Sequence, residues 1–230
     1  MRTAAPGPSG DGVRALLLTV RHGLRPKGSW RSECGEMMTL TTPPAAAPTR
    51  AEPPFLLWLT GLSGAGKSTI AGRLLPLLAA QGRRPILLDG DHLREGLCAD
   101  LGFSEADRRE NIRRAAEVAL LMVGAGLTVV ATFISPFRRD RDNARARMTT
   151  GRFVEVFIDT PLAVAEERDP KGLYRRARAG QIPHFTGISS PYEAPVQPEI
   201  RIDTTRLSPE RAAEHVVASL REMGLLPPAR

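Results

Sequence analysis

The stretch FLLWLTGLSGAGKST, residues 55–69, determines the fold of this chain. An apolar run leads directly into Gly-x-x-x-x-Gly-Lys-Ser, a pattern in which the backbone N–H groups of a glycine-rich turn form a cradle for phosphate oxygens. Lys67 supplies a point charge for the β- and γ-phosphates, and the Ser68 hydroxyl suits Mg²⁺. The helix that follows adds the positive end of its dipole. A glycine-rich turn before an ordinary helix would not require all eight residues in this context. The pattern therefore predicts a nucleoside triphosphate site, formed by Gly61, Leu62, Ser63, Gly64, Ala65, Gly66, Lys67, Ser68 and Thr69.

The composition is that of an ordinary globular protein, with 42% apolar and 25% charged residues among 230. The longest apolar runs are far shorter than the roughly 20 residues that span a bilayer, so no membrane association is expected. A net charge of +7 suits nucleic acid and small polyanions equally well. Because no RNA- or DNA-binding motif is present, we favour phosphorylated small molecules. Two distant cysteines, Cys34 and Cys98, do not form a disulfide framework, which favours a cytoplasmic protein.

The chain divides into two regions of different composition. Residues 1–54 are rich in Pro, Gly, Ala and Thr, and we expect a disordered or loosely attached extension there. Met37 and Met38 leave open an alternative, in which translation starts there and the upstream residues are a gene-model artefact. Residues 55–226 are expected to form one domain.

From residue 55 onwards, apolar strands alternate with helices. Nearly continuous apolar runs, as found where helices cover both sheet faces, predict five strands at 55–59, 85–89, 127–133, 153–159 and 199–203. Ser104 and Ser208 are the predicted N-caps of two of the helices. This order predicts a three-layer α/β fold with a parallel five-stranded sheet, as in the P-loop nucleoside and nucleotide kinases.

The second predicted strand ends in Leu-Asp-Gly-Asp, which puts Asp89 and Asp91 at the edge of the sheet where ligands bind. Two carboxylates there can orient Mg²⁺ through water or accept a proton from an attacking hydroxyl. A solvated Asp-Gly turn is the alternative. The third strand ends without the acid that a motor ATPase would use, and no Asn-Lys-x-Asp guanine reader occurs. The pattern favours a kinase for a small molecule.

Six blocks of the sequence resemble, in order, those of the adenylylsulfate kinases: GLSGAGKST, LDGDHLREGL, DLGFSEADRRENIRR, TFISPFRRDR, DPKGLYRRARAG and FTGISSPYEAP. The resemblance covers residues 53–224. It implies transfer of the γ-phosphate of ATP, with Mg²⁺, to the 3′-hydroxyl of adenosine 5′-phosphosulfate (APS). The products would be ADP and 3′-phosphoadenosine 5′-phosphosulfate (PAPS). It also implies a homodimer and, as a possible partner, a sulfate adenylyltransferase.

The resemblance assigns roles to individual residues. Asp91 would accept the proton of the 3′-hydroxyl or organise the Mg²⁺ shell with Ser68, Asp89 would support it, and Lys67 would act on the phosphates. The residues expected to hold APS are Arg94, Phe103, Arg108, Asn111, Ile134, Lys171 and Phe185. For each of these, an ordinary core or surface position is the alternative when the residue is considered alone.

Three further points follow from the same comparison. Phe103 and Phe185 would sandwich the purine, because two aromatic faces can stack on a base. Lys171 lies in a basic segment that is expected to close over the phosphates. Ser135 matches the position of a phosphoserine intermediate, but in-line transfer needs no covalent step, so support of the substrate loop is the alternative.

The sequence departs from the family pattern at a few positions. His92 stands where the family usually has Asn, and Thr132 stands where Ala is commoner. His92 leaves open a kinase for another hydroxylated substrate. A non-catalytic, nucleotide-gated module whose extension docks a sulfurylase is a further alternative, against which the retention of Lys67, Ser68 and Asp91 argues.

Overall fold

The computed structural model describes residues 53–228, so nearly all of the predicted extension lies outside the described residues. Five parallel strands form one sheet in the order β2-β3-β1-β4-β5. The strands are β1 (Leu56–Thr60), β2 (Pro85–Asp89), β3 (Thr128–Thr132), β4 (Phe153–Asp159) and β5 (Ile200–Asp203). The predicted parallel five-stranded sheet is thus confirmed. Because all strands run in one direction, their carboxyl ends meet at one edge.

Seven helices connect and cover the strands of the described region. They are α1 (Lys67–Ala80), α2 (Gly90–Glu95), α3 (Glu105–Gly124), α4 (Arg138–Ala146), α5 (Leu162–Arg168), α6 (Leu173–Arg178) and α7 (Pro209–Glu222). The hydroxyl of Ser104 accepts a hydrogen bond from the N–H of Asp107 at 3.2 Å, and that of Ser208 accepts one from Arg211 at 3.3 Å. Both predicted N-caps are therefore confirmed.

The central strand β1 is buried on both faces, which explains its continuous apolar sequence. Leu57 and Leu59 pack on one side into a core shared with α1 and α7. Leu56 and Trp58 point to the other side, into a core shared with α3 and the end of α4. Two helical layers therefore enclose the sheet, as predicted. No helix within residues 53–228 has the length and apolar character needed to cross a membrane.

Candidate active site

A cleft of about 650 Å³ opens at the carboxyl edge of the sheet. One wall is the turn between β1 and α1, which we call the phosphate loop (residues 61–68). The other walls come from the segment after β2, the first half of α3, residues 132–136 after β3, and residues 169–186. The predicted site residues that line the cleft are Ser63, Gly64, Gly66, Lys67, Ser68, Thr69, Asp89, Asp91, Arg94, Phe103, Arg108, Asn111, Ile134, Ser135, Lys171 and Phe185.

Gly61, Leu62 and Ala65, the remaining predicted residues, are buried within the phosphate loop rather than lining the cleft. A Cβ on Gly61 would lie 2.6 Å from the carbonyl oxygen of Ile158, which is too close for any side chain. Gly66 has a φ of 102° and precedes α1 without a side-chain cap. The first N–H groups of α1 therefore have no capping side chain from Gly66 and are suited to an anion.

Lys67 folds back over the phosphate loop. Its ammonium donates to the carbonyl oxygens of Gly61 at 2.9 Å and Leu62 at 2.7 Å. Burial lowers the pKa of Lys67 to about 8, although the nearby carboxylates of Asp89 and Asp91 oppose the shift. A triphosphate beside this ammonium would add negative charge that favours its protonated form.

Asp89 occupies the end of β2 and is held by three donors. Its carboxylate accepts hydrogen bonds from Thr132 Oγ1 at 2.6 Å, Ser68 Oγ at 2.9 Å and the N–H of Asp91 at 2.9 Å. Burial would raise the pKa of Asp89, but these hydrogen bonds outweigh it and hold the pKa below the ordinary value. Asp89 therefore stays ionised beside Ser68 and is a weak proton acceptor. The shortest of these hydrogen bonds is donated by Thr132, one of the positions at which the sequence departs from the family pattern.

Asp91 lies two residues further, in the first turn of α2, and is mostly exposed. Its carboxylate pairs with the ammonium of Lys171, which reaches across from the segment before α6. The hydrogen bond with Asp91 raises the pKa of Lys171 above its ordinary value. The ion pair joins the basic segment to the acid after β2, so the two predicted residues meet at the mouth of the cleft.

Two arginines shape the opposite end of the cleft. Arg108 is buried and donates from Nε to the carbonyl oxygen of Phe103 at 3.1 Å and from an Nη to that of His184 at 2.9 Å. Arg94 donates to the carbonyl oxygens of Leu101 and Gly102, and its guanidinium lies 4.4 Å from the centre of the Phe103 ring. Both arginines therefore hold in place the backbone segment that ends at Phe103.

Phe103 and Phe185, the predicted aromatic pair, belong to the two backbone segments that Arg108 joins through its hydrogen bonds. Phe103 is 53% exposed, whereas Phe185 is 7% exposed and packs edge-on against Tyr174 with ring centres 5.0 Å apart. Asn111 Nδ2 and Thr186 Oγ1 are buried near them and have no hydrogen-bond partner within residues 53–228. Unpaired buried polar groups in a cleft indicate a ligand that completes them. The sequence analysis missed Thr186, for which its position directly after Phe185 was the available signal.

Ser135 has a buried hydroxyl whose hydrogen bonds stay within the protein. Its Oγ accepts from Trp58 Nε1 at 3.1 Å and donates to Thr60 Oγ1 at 2.9 Å. Its φ is 38°, which is unusual for a residue other than glycine. These contacts favour support of the substrate loop, and a phosphoserine at Ser135 stays an untested prediction. His92 is exposed and is not one of the residues that line the cleft.

The oxygens around Ser68 suit a magnesium ion. Residues 53–228 contain no group of three or more His, Cys, Asp or Glu side chains that could hold a metal. Mg²⁺ keeps several waters, however, and is commonly bound through one or two carboxylates and the phosphates of a substrate. The Ser68 hydroxyl and the carboxylates of Asp89 and Asp91 fit that donor set.

Comparison with known proteins identifies the family to which this chain is similar. The model of the adenylylsulphate kinase family matches residues 53–203. An adenylyl-sulfate kinase of Shewanella sp. (strain MR-4) is 60% identical over 162 residues, which cover 70% of this chain and 79% of that protein. An adenylyl-sulfate kinase of Marinobacter nauticus is 55% identical over 173 residues, covering 75% and 87%.

Solved structures give the same result. The Mycobacterium tuberculosis APS kinase in complex with AMPPNP and APS is 47% identical, with a TM-score of 0.70 and coverage of 73% of this chain and 98% of that one. A hexameric APS kinase from Thiobacillus denitrificans is 33% identical, with a TM-score of 0.57, and the match covers 77% of this chain and 30% of that one.

Proposed function

This chain belongs to the adenylylsulfate kinase family, and we propose how the residues of its own cleft divide the work of that family's reaction. The protein transfers the γ-phosphate of ATP to the 3′-hydroxyl of APS, which gives PAPS and ADP in sulfate activation. The observation that carries the proposed roles is a single cleft whose lining includes both Lys67 and Ser68 of the phosphate loop and Asn111 and Phe185.

ATP binds at the phosphate loop in this proposal. The N–H groups at the start of α1 hold phosphate oxygens, and Lys67 turns from the carbonyls of Gly61 and Leu62 to the β- and γ-phosphates. Phosphoryl transfer depends mainly on positioning and charge stabilisation, so this ammonium acts through its charge.

APS binds at the other end of the cleft. The purine lies between Phe103 and Phe185, and Asn111 and Thr186 supply the hydrogen bonds that these buried groups otherwise lack. Arg94 and Ile134, which both line the cleft, hold the phosphosulfate in this proposal. Arg108 acts chiefly by setting the distance between the two aromatic segments, because its guanidinium already holds their backbones.

Asp91 is the proposed proton acceptor for the 3′-hydroxyl. It is more exposed than Asp89, and the side chain of its partner Lys171 is also largely exposed. Asp89 is less suited, because its three donors stabilise the ionised carboxylate. Lys171 is then free to pair with a substrate anion once Asp91 engages the hydroxyl.

Mg²⁺ would be held by the Ser68 hydroxyl and, through water, by Asp89 and Asp91. When bound, the ion neutralises charge on the β- and γ-phosphates. The chain itself keeps Ser68 in place through its hydrogen bond to Asp89.

The test is direct turnover. Purified protein with ATP, Mg²⁺ and APS should yield ADP and PAPS in equal amounts, and the absence of both would reject the activity. Asp91→Asn should lower kcat by on the order of 10²- to 10⁴-fold, as expected for loss of a general base. Asp142→Asn, a matched change at an exposed position of α4, should leave kcat unchanged. Equal effects of the two substitutions would reject the role of Asp91.

Several broader predictions remain to be tested. We propose a homodimer, which light scattering would detect, and the hexameric relative supports assembly in general. Association with a sulfate adenylyltransferase and a cytoplasmic location stay predictions from the sequence. Removal of residues 1–50 should leave turnover intact, because the family model starts at residue 53.

A further inference from the structure

Residues 134–136 line one wall of the cleft, and Ser135 among them has a strained backbone. We call them the substrate-side loop. Ser135 at its centre has a φ of 38° although it carries a side chain. Such a conformation costs of order 1–3 kcal/mol and persists only where the surroundings enforce it.

The β1 side of the loop is held by hydroxyl groups. Thr60 Oγ1 donates to the carbonyl oxygen of Ile134 at 2.8 Å and accepts from Ser135 Oγ at 2.9 Å. Tyr192 lies 3.0 Å from the same Thr60 oxygen. Because the only proton of Thr60 is given to Ile134, the Tyr192 hydroxyl is the donor in that contact.

The other side of the loop is held by one arginine. Arg141 of α4 is 2% exposed, and its guanidinium makes three charge-assisted hydrogen bonds in three directions. It donates to the carbonyl oxygen of Ser135 at 2.7 Å, to that of Glu193 at 2.8 Å and to Glu155 Oε1 at 2.6 Å. The N–H of Glu193 in turn donates to the carbonyl oxygen of Pro136 at 2.8 Å.

Glu155 gives the buried arginine its counter-charge. It points from β4 into the interior, where it is 7% exposed, within a strand that is otherwise apolar up to its last residue. Replacing a buried ion pair with apolar residues is often neutral or stabilising, so fold stability alone does not account for the pair. Its geometry connects the sheet to Ser135, a strained residue that lines the cleft.

We propose that Arg141, paired with Glu155, is a positioning residue for APS. It never lines the cleft itself, and it acts by holding Ser135 in the conformation that shapes the wall on the APS side. The hydrogen bonds of Arg141 go to Ser135, Glu193 and Glu155, none of which belongs to the phosphate loop. The inference rests on the proposed function, and it separates binding of APS from binding of ATP.

Steady-state kinetics of the full-length protein test the proposal. Arg141→Met should raise the KM for APS by on the order of 10- to 100-fold, the scale of a misplaced binding wall, while the KM for ATP changes less than about twofold. Arg141→Lys keeps the charge but cannot reach three separate acceptors. It should also raise the KM for APS, by a smaller factor than Arg141→Met. It serves as the deciding variant if Arg141→Met fails to fold.

Arg145→Met is the matched control. Arg145 belongs to the same ion cluster, with Glu155 at 3.4 Å and Glu199 as partners, but it does not contact the substrate-side loop. It should reduce thermal stability and leave the KM for APS unchanged. An unchanged KM for APS in a folded Arg141 variant, or equal increases for APS and ATP, would overturn the proposal. Wild-type turnover tests the proposed function separately.

Discussion

Replacing Lys67 with methionine should change the stability of the protein in a pH-dependent way. In the unfolded chain this lysine has a pKa near 10.5, whereas burial lowers it to about 8 in the folded protein. Between these pH values the unfolded chain binds more protons, so the contribution of Lys67 to the free energy of unfolding increases with pH. The destabilisation that comes from burying the charged ammonium of Lys67 is fully present below pH 8 and disappears above pH 10.5.

The size of the effect follows from the two pKa values. The full difference corresponds to about 3 kcal/mol at 1.36 kcal/mol per pKa unit. Because the Lys67 residue is half-buried, solvent screens part of the penalty, and we expect about 2 kcal/mol. The variant should gain stability relative to the wild type at pH 7, and the difference in unfolding free energy should shrink by about this amount at pH 10.

Urea denaturation of both proteins at pH 7, 8.5 and 10 measures the difference. The packing change from lysine to methionine does not depend on pH and cancels between conditions. Lys171→Met is the control. Because the pKa of Lys171 is raised in the folded protein, its stabilising contribution to the free energy of unfolding is present below pH 10.5 and is lost only above that pH. The difference in unfolding free energy between Lys171→Met and the wild type should stay constant from pH 7 to 10. A Lys67→Met difference that is equally flat would refute the burial argument.

Four further substitutions test other parts of the site and the neighbouring helix α1. Asn111→Leu removes an unpaired buried amide, so the thermal stability should be unchanged or higher. The KM for APS should increase more than tenfold (~1.4 kcal/mol or more), and an unchanged KM would contradict the assigned role. Phe103→Ala should raise the KM for APS by about 5- to 150-fold through lost stacking, with little change in melting temperature because the ring is 53% exposed. Gly61→Ala should abolish soluble, ATP-binding protein, because its Cβ would meet the Ile158 carbonyl oxygen at 2.6 Å. Gly72→Ala within α1 meets nothing within 4 Å and should instead stabilise by about 1 kcal/mol in a thermal melt.

Much of the fold could be predicted from local sequence. Most strands are short, nearly continuous apolar runs because helices cover both sheet faces, although β4 contains Glu155 and β5 contains Arg201. The phosphate loop and the two serine N-caps depend on neighbours a few residues away, so they too can be recognised locally. Asp89 and Asp91 could be assigned to the binding edge because every parallel strand ends there.

The partners of the site residues could not be predicted in the same way. Asp89 meets Thr132, 43 positions away, and Arg108 meets the His184 carbonyl, 76 positions away. Such pairs depend on the order of strands in the sheet, which the sequence pattern leaves open. Arg141 would pass for a surface residue in a strongly charged helix. Glu155, a lone acid inside an apolar strand, was the one local sign that a cation would be buried beside it.

The bridge made by Arg108 has a consequence for substrate range. One guanidinium spans the backbones beside both rings, so the width of the gap for a flat heterocycle is fixed by the length of a single side chain. Variation that enlarges or shifts this gap to admit a bulkier nucleobase would have to begin at Arg108 rather than at either phenylalanine. Libraries aimed at altered sulfonucleotide acceptors are best centred on that position.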